Sequence, residues 1–168
     1  MSRRTVHAVT RTPRAAAWTF LTALLVLGTT GCEPIVPSDP DGTLDRIEST
    51  EELHVGVSPD TGLVFWDGEE ASGPLAETVE GFADELGVRI SWVEGSEETL
   101  VGLLEAGRID IAVGGFTDET PWLDRAGVTR GYPGIEGSDD RAIVMLVPLG
   151  ENRLLSELET YLDAELAP

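Results

Sequence analysis

The chain contains no lysine, one cysteine and only two histidines. Every cation is therefore an arginine, and four of the eleven, Arg3, Arg4, Arg11 and Arg14, precede the first acidic residue, Glu33. From Cys32 onward seven arginines face 31 aspartates and glutamates, a net charge of −24. So acidic a surface repels phosphate backbones, which excludes nucleic acid as a partner, and it favours solubility where salt screens self-repulsion. A single cysteine excludes an internal disulfide. Past the first segment the only histidine is His54, set within an apolar run, and there is neither a Gly-x-Ser-x-Gly elbow nor a glycine-rich phosphate loop. Nothing therefore points to an enzyme or to a bound cofactor. The adjacent acidic pairs Glu69-Glu70, Glu97-Glu98 and Asp139-Asp140 point to different sides of a helix or strand, and read as solvated charge rather than metal ligands.

What is present falls into three parts. Residues 1–31 have the logic of an export signal: a basic stretch to Arg14, an apolar run over 15–27, then the small residues Gly28-Thr29-Thr30-Gly31. The run is too short for a convincing permanent span. The sequence Leu27-Gly28-Thr29-Thr30-Gly31-Cys32 resembles a bacterial lipobox, which implies a lipid on the Cys32 thiol and an exported protein anchored to the membrane, facing the periplasm or the exterior. Thr29 stands where such boxes carry Leu, and a plain signal peptide or an uncut anchor are the alternatives. Arg3-Arg4 lacks the rest of a twin-arginine motif. Residues 32–41, with Pro34, Pro37 and Pro40, read as a stiff tether. Residues 42–168 are the right length for one domain with a real core.

Within that domain Leu44-Asp45-Arg46-Ile47 suggests a short helical turn and Leu53-His54-Val55-Gly56-Val57 a buried strand. Pro74 and Gly87 bracket a helix in the usual order of proline at the start and glycine at the end, with Gly81 an interruption. Residues 88–93 alternate like a strand. Ser96 caps a helix stopped by Gly107, Ile109-Asp110-Ile111-Ala112-Val113 is a further strand, and 143–147 another. Leu154, Leu155, Leu158 and Leu162 lay one stripe along a final helix. The alternation predicts an α/β fold with a mostly parallel sheet covered by helices.

The order and wording of residues 42–133 resemble the first lobe of family 3 periplasmic solute-binding proteins, the amino-acid-type receptors of import systems. The matching passages are Leu53-His54-Val55-Gly56-Val57, an aromatic at Phe65 or Trp66, Gly73, Leu86-Gly87-Val88, and the Leu-x-x-Gly-x-x-Asp run from Leu104 through Gly107 to Asp110. The family closes two lobes on its solute. Here only residues 131–140 stand where a second lobe belongs, and the chain returns through 142–146 and 151–162. The resemblance thus implies a single lobe of the type II periplasmic-binding-protein fold.

It also implies candidate ligand residues. Phe65 and Trp66 sit where the family stacks an aromatic on its solute, and Glu77 takes an acidic slot early in the first long helix. Gly114, Gly115 and Thr117 match the positions whose backbone donors and hydroxyl grip a carboxylate; Thr117 is equally readable as a cap. Thr120-Pro121 stands in the place of the family's Thr-Pro pair, and Pro121 reads as the start of a helix that brings Trp122 toward the cleft. The family's arginine position falls at Trp122 or Leu123, so Arg125, one helical turn from Trp122, is a candidate substitute, with a surface ion pair as the other reading. The implied function is non-catalytic binding or sensing of a small polar or cationic, amino-acid-like solute beside a transporter. The alternative is an interaction subunit whose old cleft docks a transporter or another protein, with Phe65, Trp66 and Trp122 as its apolar patch.

Overall fold

In the computed structural model the described residues are 39–166. The expected signal, lipobox cysteine and most of the tether lie outside them. The region begins with helix α1 (Thr43–Thr50), a full two turns. Strand β1 (Glu52–Val57) follows, then a small hairpin of β2 (Phe65–Trp66) and β3 (Ala71–Ser72) that the sequence reading does not contain. Helix α2 (Pro74–Leu86), β4 (Arg89–Glu94), α3 (Glu97–Glu105) and β5 (Ile111–Val113) complete two crossovers. Short strands β6 (Ala126–Val128) and β7 (Leu146–Pro148) and helix α4 (Asn152–Glu165) finish it.

The main sheet runs β4-β1-β5-β7-β6. β1 pairs parallel with β4 on one side and with β5 on the other, while β7 runs antiparallel to both β5 and β6. The sheet is therefore mixed and mostly parallel, with β7 the one reversed strand. Leaving β1, the chain moves outward through α2 to β4, then comes back over β1 through α3 to β5. That reversal puts α2 and α3 on opposite faces, as right-handed crossovers require.

Burial follows the pleat. Ile111 and Val113 join the cluster under α1, α2 and α4, while Ala112 between them joins the cluster under α3. Met145 and Val147 likewise face one way, Val144 and Leu146 the other. Leu154, Leu158 and Leu162 form a fully buried stripe, and Tyr161 of α4 tilts against Phe82 of α2 with ring centroids 5.6 Å apart. Gly81, an apparent interruption of α2, is where Tyr161 crosses that helix: a Cβ there would run into its hydroxyl. Gly56 has the same kind of reason, since its Cβ would lie 2.6 Å from Ile109 and 2.7 Å from Leu100, so α3 packs directly on the backbone of β1.

The expected helix after Pro121 is absent. Residues 121–125 make a single turn, closed by the Arg125 and Ala126 N–H groups donating to the Trp122 carbonyl at 2.9 and 3.0 Å, and the chain goes straight into β6. Only three residues separate Trp122 from a strand whose pairing with β7 is fixed, too few to propagate a helix.

Candidate functional site

In an open α/β sheet, ligands bind outside the carboxyl ends of the strands where the chain's direction of winding reverses. Here that is the crevice between the ends of β1 and β5. The two loops leaving it are stitched together: the Ser58 N–H donates to the Val113 carbonyl at 2.9 Å, and a Cβ on Gly114 would come within 2.7 Å of the Ser58 carbonyl oxygen. The loop after β1 turns at Asp60, whose N–H donates to Val64 O at 3.0 Å and whose carbonyl accepts from Val64 N at 3.0 Å. That turn aims the Asp60 carboxylate across Gly115, where a Cβ would overlap it.

Arg141 meets Asp60 there. Its Nη2 lies 3.0 Å from Oδ1 and its Nη1 3.5 Å from Oδ2, while its Nε donates to the Ser138 carbonyl at 3.0 Å. The hydrogen bond to Asp60 pushes the guanidinium pKa further up, so Arg141 keeps its charge at any ordinary pH. Both side chains are about a third exposed. The mouth of the crevice thus holds an anion with a planar cation on it.

The residues singled out in the sequence are distributed unevenly around this point. Gly115 is at its centre. Thr117 is just beyond, in an antiparallel bridge with Ile143, and its carbonyl accepts from Thr120 N at 2.9 Å. Thr120 is buried, and neither its hydroxyl nor the indole N–H of Trp122 has a hydrogen-bond partner among the described residues. Trp122 packs half-buried into the cluster on the α3 face, whereas Trp66 packs on the α1, α2 and α4 face. The three aromatics are therefore not gathered into one patch; Phe65 alone stands 51% exposed, on its hairpin. Glu77 is exposed in the first turn of α2 and lines a shallow cavity with Gly134, Glu136 and Tyr161. Arg125 grips Glu105 in a bidentate pair, Nε to Oε1 at 2.9 Å, and lies over the Trp122 ring with 5.4 Å to its centroid. That pairing holds the Glu105 carboxyl below its usual range.

Asp60 and Arg141 are the residues sequence reading missed. Asp60 carried a weak signal, a Ser58-Pro59-Asp60 turn directly after a buried strand. Arg141 carried none, sitting among acidic residues at the end of the shortened connection.

A cavity of about 520 Å³ is at the opposite end of the sheet, lined by Asp41, Arg46, Glu105, Asp110 and Arg125 among others. Its chemistry is already self-satisfied. The buried Asp110 carboxylate pairs with Arg46, accepts the His54 N–H at 2.9 Å and lies 3.4 Å from His54 Nδ1, which ties α1 to the start of β5. Arg46 and Arg125, the two cations of the cavity, are both spent on carboxylates.

The architecture is that of a single lobe of the periplasmic-binding-protein type. Among solved structures the chain is similar to the arginine-bound form of domain 1 of TmArgBP, at 22% identity and a TM-score of 0.62 over 71% of this chain and 98% of that one. It is also similar to the arginine-bound form of truncated ArgBP from T. maritima, at 15% identity and a TM-score of 0.58 over 72% and 99%. A third is the ancestral amino-acid-binding protein that is a precursor of cyclohexadienyl dehydratase, at 15% and 0.58 over 73% and 92%. A lone domain 1 is matched over nearly its whole length, so the fold here is one complete lobe. No family model matches the sequence, and no curated protein matches it.

Proposed function

We propose that this chain is a non-catalytic, single-lobed solute-binding protein that takes a small cationic, amino-acid-like solute at the β1–β5 crevice. The observation that carries the reading is the Asp60 carboxylate, placed at the reversal point of the sheet and already holding a guanidinium at 3.0 Å. Support also comes from a neighbour whose domain 1 is seen in an arginine-bound form. Gly115 leaves the backbone bare below the carboxylate, and the −24 charge of residues 32–168 draws cations toward it. The proposal extends to the ends of the chain: a signal over 1–31, a lipid on Cys32, a tether, and a membrane transporter or sensor beside which the lobe works. No catalytic step is part of it. A second reading, in which the crevice end docks a protein, is favoured by one feature, Phe65 at 51% exposure.

The test is a thermal melt of the full chain in mild detergent with increasing L-arginine, L-lysine or L-glutamate. A ligand that binds only the folded state raises the melting temperature with concentration. The expected result is a rise with arginine or lysine, none with glutamate, and none for Asp60→Asn. A folded chain whose melting temperature ignores every solute would turn the search to protein partners.

A further inference from the structure

The cation on Asp60 comes from the connection that stands where a second jaw would be. Gly137, Asp139 and Asp140 all have left-handed backbone, with φ of 78°, 53° and 62°. Two consecutive aspartates in that region are unfavourable unless their surroundings impose it. The surroundings here do so from within the loop and from outside it. The Ser138 N–H donates to Ile135 O at 3.1 Å, its hydroxyl to Pro133 O at 2.9 Å, and the Arg141 N–H to Ser138 O at 3.0 Å. Gly137 lies so close to Gly62, in the loop after β1, that a Cβ would overlap the Gly62 carbonyl. The connection is thus clamped against the loop that carries Asp60, with its last residue reaching into the crevice. All three guanidinium nitrogens are engaged, two on Asp60 and one on the loop itself.

We infer that Arg141 is an intramolecular stand-in for the solute, its guanidinium holding the cation position of the crevice until a guanidinium- or ammonium-bearing solute displaces it. This deepens the solute-binding reading and rests on it. The stand-in gives Asp60 a partner when no solute is bound, which matters in a lobe where carboxylates outnumber arginines so heavily. Because the pair is partly exposed, its opening is cheap and the exchange is a displacement rather than a block. Apparent affinity is then the intrinsic affinity multiplied by the fraction of molecules whose crevice is open. Arg141 sets that fraction, and the charge of Asp139 also acts on its guanidinium.

Two titrations on the full chain in detergent decide it. L-arginine followed by calorimetry should bind Arg141→Ala about fivefold to tenfold more tightly than the native chain, and Asp60→Asn not at all. Methylguanidinium followed by thermal melting should stabilise Arg141→Ala at about fivefold to tenfold lower concentration than it stabilises the native chain. Far-UV circular dichroism checks folding, and Arg141→Gln, which keeps length and polarity without charge, should behave as the alanine variant does. Equal L-arginine affinity in native and variant chains overturns the stand-in and leaves the solute reading standing. No L-arginine binding by any form overturns the solute reading and, because the stand-in rests on it, the stand-in as well. Methylguanidinium acting alike on both chains overturns the stand-in directly.

Discussion

Residues 43–113 and residues 114–150 are built on different physics. The first stretch carries β1, α2, β4, α3 and β5, joined by two crossovers and packed through apolar faces that repeat every few residues. The second contains two three-residue strands, one helical turn and a loop with strained backbone, held by contacts between residues far apart in sequence. The first is a scaffold whose stability comes from burial, and the second is a fitting whose shape decides what the crevice can hold. Substitutions should therefore separate stability from binding according to which stretch they strike.

The largest effect is expected at Phe82. It is buried between α2 and the sheet and touches Tyr161 of α4, so Phe82→Ala leaves a cavity that costs about 3–5 kcal/mol. Urea unfolding should register that loss, with the L-arginine affinity of the molecules still folded unchanged. Smaller in stability but opposite in binding is Gly137→Ala. A side chain there must adopt φ of 78° and push off the Gly62 carbonyl, at a cost of about 2 kcal/mol. Since the same push dislodges Arg141 from Asp60, L-arginine should bind this variant more tightly than the native chain. Weaker binding would mean that the connection helps hold the solute instead of standing in for it.

The same division explains what could be read from the residues alone. β1, α2, α3 and α4 were legible because their patterns are local: Pro74 and Gly87 bracket a helix, and the Ser96 hydroxyl accepts the Thr99 N–H at 3.3 Å as a cap should. The hairpin at Phe65–Trp66 and Ala71–Ser72 and the strand Ala126–Val128 are too short to show any alternation. In the return segment, residues 143–148 are buried throughout, so no pattern says where pairing starts; Ile143 makes only isolated bridges and β7 begins at Leu146. The site divides likewise. Gly115 followed from a local resemblance, whereas Asp60 and Arg141 are 81 positions apart and meet only through the fold.

The smallest expected effect lies outside both stretches, at the entry to the lobe. The Asp39 side chain is buried beside Glu151, which is itself buried and accepts the N–H groups of Asp41 and Thr43 at 3.0 Å each. Burial, then the hydrogen bond to Glu151 and repulsion from it, push the Asp39 carboxyl up to about 6. Burial alone would raise Glu151 too, but the hydrogen bonds from Asp39, Asp41 and Thr43 outweigh it and keep that carboxyl low. The folded state therefore holds the Asp39 proton more tightly than the unfolded state, whose value is 3.8. Stability from this group is full below that value, falls as pH rises toward 6, and is gone above it. Arg153, 3.7 Å away, softens the loss without removing it. Urea unfolding at pH 4.5 and pH 7.5 should show the native chain losing on the order of 1 kcal/mol more than Asp39→Asn over that interval. Identical pH dependence in the two chains would mean that Asp39 titrates as freely as an aspartate in water, and that the lobe begins after it.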